Sequence, residues 1–214
     1  MGKIVNRPYR SPLRAAQAAS TREAVIAAAA RLFADQGYVA TSIDEIAERA
    51  GVSRATVFTS VGGKGALLKT ALDVAIVGDD EPVSLPERLR SKAIRAETDP
   101  HLYLALYAEL VGEISGRVAK LYEAVRGAAG ADSEARDLWD AQQAQRRRGA
   151  ANVVGDVIAK GGLRPGLDEE TAADTVWALN DPGLYHQLVN GRGWPPDRYA
   201  VWLGETLARL LLAG

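Results

Sequence analysis

The chain has 214 residues, with 26 Lys and Arg against 27 Asp and Glu, two His and no Cys. This length suits one large domain or two modest ones, and the hydrophobic (47%) and charged (25%) fractions are ordinary for a globular protein. The absence of Cys excludes disulfides, thiolate catalysis and cysteine zinc sites. No apolar run is long enough to cross a bilayer, and the basic first 20 residues lack the apolar stretch of a secretory signal. We therefore expect a cytoplasmic protein without metal, cofactor or membrane partner.

The net charge of −1 conceals an asymmetry along the chain. Residues 1–76 carry ten Lys and Arg but only six Asp and Glu, a balance of +4, whereas residues 77–214 have a balance of −5. A basic N-terminal third favours a polyanionic partner, although four charges also suit an ordinary solvated surface.

The apolar periodicity predicts an all-α protein, because no segment alternates at period two. Ser20 and Glu23 have capping-box spacing, which predicts a first helix from about Thr21 that ends at Gly37. After a helix-turn-helix segment and a helix from about Lys64, further helices are predicted near residues 86–97, 100–115, 117–128, 132–160, 168–180, 182–190 and 196–212.

The most informative stretch is residues 42–61, SIDEIAERAGVSRATVFTSV. Ser42 and Glu45 form a second capping box, Gly51 is suited to a left-handed turn, and Ser53 can cap the following helix. Burial of the apolar positions Ile46, Ala47, Val52 and Val57 would fix the crossing of the two helices. The side chains of Ser53, Arg54, Ala55, Phe58 and Thr59 would then face outward, as on a recognition helix. Any αα-hairpin with a glycine turn is the alternative.

Residues 22–72 resemble the N-terminal domain of the TetR family of transcriptional regulators. The matching features include Arg22, Leu32-Phe33, Gly37-Tyr38, Thr41, Ile46-Ala47, Ala50-Gly51-Val52-Ser53 and Lys64. The resemblance implies an all-α homodimer with an N-terminal three-helix helix-turn-helix domain and a larger helical domain for effector binding and dimerisation. It divides the chain into a basic flexible arm (1–20), a DNA-binding domain (21–66) and an effector-binding and dimerisation domain (67–214).

The resemblance also implies roles for individual residues on double-stranded operator DNA. Thr41, Ser42 and Lys64 would contact phosphates, and Ser53, Arg54, Ala55, Thr56 and Thr59 would lie against bases or groove walls. Two positions depart from the family pattern. Phe58 stands where a tyrosine is usual, so it can pack on sugar or a thymine methyl but cannot donate to a phosphate. Gly65 replaces the usual glutamate and weakens the start of its helix by ~1 kcal/mol relative to alanine.

The C-terminal part has candidate residues for a small-molecule effector and for a dimer. Aromatic and polar side chains on its predicted helices can line a pocket, with an ordinary core as the alternative. These effector candidates are Tyr103, Tyr107, Trp139, Gln143 and Trp177. The dimer candidates, which could instead pack inside their own chain, are Leu184, Leu188, Tyr199, Trp202, Leu203, Leu207 and Leu210.

Arg146, Arg147 and Arg148 form the densest charge run. Three consecutive helical residues spread around the helix, so one of them should point inward. They could form a solvated face paired with Asp137 or Asp140, or contact an anionic effector.

The sequence thus predicts a ligand-responsive DNA-binding regulator, most simply a repressor that a small molecule releases from its operator. The alternatives are a helical small-molecule-binding protein or an enzyme that contains a helix-turn-helix, and a helical scaffold. We expect no enzyme, because no spaced nucleophile and base set and no phosphate-binding glycine motif is present.

Overall fold

The computed structural model describes residues 12–81 and 83–213, and it confirms the predicted all-α fold. A 3₁₀ turn (Leu85–Glu87) precedes the fifth helix, and a π-helical turn (His186–Gly191) extends the ninth. None of the described helices is long and apolar enough to cross a membrane. The helices are α1 (Pro12–Ala40), α2 (Ile43–Ala50), α3 (Arg54–Ser60), α4 (Lys64–Val77), α5 (Leu89–Ala96), α6 (Pro100–Ala128), α7 (Ser133–Ala159), α8 (Glu169–Leu179), α9 (Pro182–Tyr185) and α10 (Pro196–Leu211).

The first helix begins earlier than predicted. α1 starts at Pro12, so Ser20 lies inside a helix and does not cap one. Residues 12–20 are rich in alanine and other good helix formers, and the helix therefore continues where we expected a flexible arm. Residues 1–11 of the predicted arm lie outside the described residues. α1 runs to Ala40, past the predicted end, but its helical geometry is interrupted at Gly37, which has φ 81°.

Three glycines lie inside continuous helices, one of them at the predicted break between residues 115 and 117. α6 passes through Gly116, where a Cβ would lie 3.2 Å from the Tyr185 hydroxyl. Glycine at this position permits a close approach between α6 and α9 and does not end the helix. α7 likewise continues through Gly149 and Gly155.

The N-terminal helices share their hydrophobic core with α6 and α7. Phe33 of α1, Ile46 of α2 and Leu67 of α4 are completely buried. The same cluster contains Val125 of α6 and Leu138 of α7. The C-terminal end of α6 and the N-terminal end of α7 therefore line one side of the N-terminal core. The predicted domain boundary after residue 66 stays a prediction.

The last helix corrects three of the predicted dimer contacts. Tyr199, Leu203 and Leu207 are 0% exposed because they pack against α6 within their own chain. A Cβ on Gly204 would lie 3.3 Å from the Ala105 Cα, so the two helices are in close contact. Apolar periodicity alone could not show which side of α10 faces its own chain. Leu210 (39% exposed) lies toward solvent, and the other dimer candidates (Leu184, Leu188 and Trp202) are half-buried.

We expect Leu207→Ala to lower the free energy of unfolding by ~2–5 kcal/mol, the usual cost of deleting a fully buried leucine side chain. Leu102→Ala on α6 is the matched control, since Leu102 is 47% exposed. Urea denaturation of both variants measures the difference. Equal losses would mean that Leu207 is not a core residue.

Candidate nucleic-acid interface

Local hydrogen bonds define both ends of α2. The Ser42 hydroxyl accepts from the Glu45 N–H (3.2 Å), and the Glu45 carboxylate accepts from the Ser42 N–H (2.7 Å). Gly51 has φ 68° and ψ 31°, the left-handed conformation, and its N–H bonds back to Ala47 and Glu48. The predicted capping box and glycine turn are both confirmed.

The turn directs α3 across α2. The N–H of Val52 donates to the Ala47 carbonyl (3.0 Å), and the Ser53 hydroxyl accepts from the Thr56 N–H (3.1 Å). Ile46, Ala47 and Val57 are buried, which fixes the crossing of the two helices. This is the arrangement that the motif predicts.

One side of α3 is open to solvent. Ser53, Arg54, Ala55, Phe58 and Thr59 are exposed, as expected, and Thr56 is half-buried. Phe58 has 45% of its surface exposed, which is unusual for a large aromatic side chain. The exposed face thus combines hydroxyls, one cation and one aromatic ring.

Arg54 is held next to this ring. Its guanidinium lies 5.7 Å from the centre of Phe58 and donates to the Asp44 carboxylate (2.8 Å). Both partners of this ion pair are more than half exposed (57% and 69%), so the pair is easily exchanged for another anion.

Thr41 lies elsewhere than predicted. Its side chain is 1% exposed, and its hydroxyl donates to the Gly37 carbonyl (2.8 Å). The expected phosphate contact of Thr41 is therefore wrong, because the hydroxyl closes the α1–α2 turn from the inside. Ser42, the next residue, is exposed.

Lys64 is partly enclosed at the start of α4. Its ammonium donates to the Val39 carbonyl (3.2 Å) and lies 4.4 Å from the centre of the Tyr38 ring. Burial lowers the pKa of Lys64, and the nearby charge of Asp132 opposes this shift. Burial and the charges of Asp132 and Glu134 raise the pKa of Tyr38 to about 12.

The turn between α6 and α7 thus reaches the end of α1 and the start of α4. At Gly65 a Cβ would lie 1.9 Å from the Glu134 carboxylate oxygen and 3.2 Å from the Glu134 Cβ. The glycine that departs from the family pattern therefore makes room for an acidic residue of α7 beside the first turn of α4.

Two arginines that the sequence did not single out as site residues hold these helices. Arg22 of α1 donates to the Ser60 carbonyl at the end of α3 (2.7 Å) and pairs with Asp80 (2.6 Å). Arg117 of α6 donates to the carbonyls of Ala75 (2.8 Å) and Ile76 (3.1 Å) in the last turn of α4. Their partners are backbone carbonyls far away in sequence, so no local pattern signals them.

Three of the five predicted effector residues lie in one cluster, and the other two lie outside it. Tyr107, Gln143 and Trp177 all lie around the Arg146 side chain, which is 12% exposed. Trp139 packs on Tyr122, with ring centres 4.9 Å apart. Tyr103 lies apart and donates to the Asp156 carboxylate (2.9 Å).

Arg146 is the inward-pointing member of the arginine run. It pairs with Asp181 (2.8 Å) and not with the predicted Asp137 or Asp140. Arg147 is exposed and lies over the Trp177 ring, 4.6 Å from its centre.

Comparisons with known proteins agree with this geometry. Residues 25–71 match the model of the family described as bacterial regulatory proteins, tetR family. The chain is 26% identical over 172 residues to YdeS of Bacillus subtilis, described as an uncharacterized HTH-type transcriptional regulator, with 80% of each chain covered.

Solved structures share the overall fold. NalD of Pseudomonas aeruginosa, the secondary repressor of the MexAB-OprM multidrug efflux pump, superposes with a TM-score of 0.66 at 24% identity, over 92% of this chain and 98% of NalD. FadR of Bacillus subtilis, in complex with stearoyl-CoA, superposes with a TM-score of 0.67 at 18% identity, over 87% of this chain and 97% of FadR.

The hydrogen bonds of the Glu45 cap predict that the stability of the fold depends on pH. Hydrogen bonds from the Ser42 backbone and side chain lower the pKa of Glu45 below its ordinary value of 4.5. Because the folded pKa is the lower one, the stabilisation is complete above the ordinary value and is lost as the pH falls through the folded value. We expect Glu45→Gln to remove this part of the acid sensitivity.

Urea midpoints of both proteins between pH 3 and pH 7 measure the effect, with the wild type losing more stability below about pH 4.5. Glutamine can still complete a capping box, so the helix itself is retained. If the urea midpoints of the two proteins changed with pH in the same way, Glu45 would not be a charged cap.

Proposed function

We propose that this chain, which belongs to the TetR family of bacterial regulatory proteins, is a transcriptional repressor that binds operator DNA and is released by a small molecule. The observation that carries this proposal is the exposed face of α3, supported on a helix-turn-helix whose buried face is fully packed. Such a helix fits the major groove. The excess of positive charge in the N-terminal third favours the same partner.

On DNA, the exposed side chains have distinct proposed roles. Arg54 exchanges Asp44 for a base edge, since a guanidinium can donate to O6 and N7 of guanine together. Ser53, Ala55, Thr56, Phe58 and Thr59 lie against bases or groove walls, and Ser42 contacts a phosphate. Lys64 leaves the Val39 carbonyl for a phosphate.

We expect Arg54→Ala to cost about 1–3 kcal/mol on the operator and to relax its sequence preference. Lys64→Ala is the matched control, because loss of a phosphate contact weakens all sequences alike and reduces the salt slope by about one. Operator and random duplexes titrated by fluorescence anisotropy at several salt concentrations distinguish the two roles.

An operator fragment for this titration can be selected from genomic DNA by the protein itself. If Arg54→Ala weakened operator and random DNA equally, Arg54 would not contact a base. If the wild type bound neither, the proposed function would be wrong.

Ligand release is proposed to act through α4. Arg117 of α6 holds its last turn, and Glu134 of α7 lies against Gly65 in its first turn. Movement of α6 and α7 in the C-terminal domain therefore reorients α4, whose start carries Lys64. The complex of the structural neighbour FadR with stearoyl-CoA supports a ligand-binding role for a protein of this fold.

We expect Glu134→Ala to raise the affinity for DNA, because a negative charge leaves the end of α4 that faces phosphate. The gain is up to about fivefold at low salt, which corresponds to ~1 kcal/mol between partly exposed charges. Gly65→Ala displaces the same carboxylate. The double variant should therefore gain less affinity for DNA than the sum of the gains of the two single variants.

Anisotropy titrations of DNA with the wild type, the two single variants and the double variant form a double-mutant cycle. Asp137→Ala is the control, since Asp137 is an exposed acid one turn further along α7. Strict additivity of Glu134→Ala and Gly65→Ala would contradict the coupling of α7 to α4.

The functional unit is proposed to be a homodimer in the cytoplasm. The side of α10 that faces solvent retains apolar groups, Val201 (61% exposed) and Leu210 (39% exposed), and Trp202 is half-buried beside them. A second copy packed on this side would present two recognition helices to a palindromic operator.

A further inference from the structure

The side chains around Arg146 contain more hydrogen-bond donors than acceptors. Arg146 donates to the carbonyl of Trp177 (2.6 Å) and to the side-chain oxygens of Asn180 (2.9 Å), Gln143 (3.0 Å) and Asp181 (2.8 Å). The second Asp181 oxygen accepts from the Gly183 N–H (2.6 Å). Each of these oxygens thus accepts at least one hydrogen bond.

The arginine also fixes the orientation of both amides. A guanidinium only donates, so the oxygens of Asn180 and Gln143 face Arg146 and their nitrogens face outward. The Asn180 nitrogen donates to the Tyr107 hydroxyl (2.8 Å), and the Gln143 nitrogen donates to the Tyr122 hydroxyl (2.5 Å). Both hydroxyls therefore act as acceptors here.

Four donors remain. Within residues 12–81 and 83–213, the hydroxyls of Tyr107 and Tyr122 donate no hydrogen bond. The buried hydroxyl of Tyr199 and the buried indole N–H of Trp177 have no partner in that part of the chain. Tyr199 is 0% exposed, so its hydroxyl is also shielded from bulk solvent. Buried polar groups are normally paired, so two unpaired donors and two hydroxyls with an unused hydrogen around one arginine indicate a ligand that accepts.

We propose that this cluster binds the carboxylate of an aromatic monocarboxylic acid, with Arg146 as its central cation. A carboxylate has two oxygens with about four acceptor positions and donates nothing, which matches four donors. A water molecule matches less well, because it accepts from at most two donors and carries no charge to balance the two arginines.

The charges and the surrounding rings fit such an acid. Arg146 and Arg147 contribute two positive charges and Asp181 one negative charge, so a monoanion neutralises the site. Trp139 and Tyr122 pack together on one side, and Trp177 lies 5.6 Å from the Arg146 guanidinium on the other. Aromatic rings on both sides of the guanidinium favour an acid whose body is itself aromatic.

The pKa values of the phenols agree with neutral donors. Burial raises the pKa of Tyr107, Tyr122 and Tyr199, and the charge of Asp181 raises that of Tyr199 further. All three hydroxyls therefore keep their protons at neutral pH and can donate them to an anion. The inference rests on the proposed function, because it identifies the small molecule that releases the repressor by chemical class.

The test uses the full chain with 2-naphthoate and its uncharged isostere 2-naphthamide. Ligand that binds the folded state raises the melting temperature, so thermal unfolding and calorimetry measure binding. We expect 2-naphthoate to stabilise the protein and 2-naphthamide not to, since the amide brings two donors to a cluster of donors. Acetate and chloride test whether any anion suffices.

Tyr199→Phe removes one donor and keeps the ring. We expect it to weaken 2-naphthoate binding about tenfold to a hundredfold, the range for a hydrogen bond to a charged group. The ligand-free variant should be as stable as the wild type or more stable, because an unpaired buried hydroxyl has been removed. Removal of a merely structural hydroxyl would instead lower the stability and leave 2-naphthoate binding unchanged.

Trp177→Phe tests the indole N–H in the same way, and Tyr185→Phe is the matched control. Tyr185 packs edge-on against Tyr199, with ring centres 4.9 Å apart, but its hydroxyl lies at Gly116 outside the cluster. We expect Tyr185→Phe to bind 2-naphthoate as the wild type does.

Three results would overturn the proposal: no stabilisation by 2-naphthoate, equal stabilisation by 2-naphthamide or chloride, or unchanged binding in both Tyr199→Phe and Trp177→Phe. Operator binding by the ligand-free protein is measured separately. If the protein binds DNA but not 2-naphthoate, the ligand proposal fails and the proposed function as a DNA-binding regulator stands. If 2-naphthoate binds but DNA does not, the proposed function fails instead.

Discussion

Arg117 bonds to the last carbonyls of α4 while side chains of the same helix, α6, are buried among those of α1 and α4. A cation at a helix C-terminus satisfies carbonyls that have no partner within the helix and interacts favourably with the helix dipole. The buried contact prevents α4 from moving independently of α6. Close packing transmits a displacement of α6 to α4 because a dense core has little free volume to absorb it. The proposed regulation of the DNA-binding helices from the C-terminal domain depends on this constraint.

The features that could be predicted from the sequence depend on residues close together in the chain. Ser42 and Glu45 are three residues apart, and Gly51 and Ser53 bond within one turn of their own helix ends. Their hydrogen bonds need no knowledge of the rest of the molecule, so the helix-turn-helix and the outward face of α3 follow from local chemistry. The start of α1 differs from the prediction because a capping-box spacing at Ser20 does not by itself start a helix.

The features that could not be predicted depend on distant partners. Apolar spacing showed that Tyr199, Leu203 and Leu207 share a face, but only the position of α6 shows that this face is turned inward. The run of three arginines indicated one inward side chain, yet its partner Asp181 is on another helix. Thr41 has a hydroxyl suited to phosphate, and the chain instead uses it to close the turn after Gly37.

The two helices that contact α4 also carry most of the polar cluster. α6 contributes Tyr107 and Tyr122 on either side of Arg117, and α7 contributes Gln143 and Arg146 together with Glu134 at its start. A ligand shifts an equilibrium only by its difference in affinity for the two states, so strong binding alone would release no DNA. The proposed carboxylate would accept from donors on α6, α7, α8 and α10, so its binding would depend on the relative positions of those helices. The positions of α6 and α7 also set that of α4 and Lys64, so the proposed anion would bind with a different affinity if α4 were displaced.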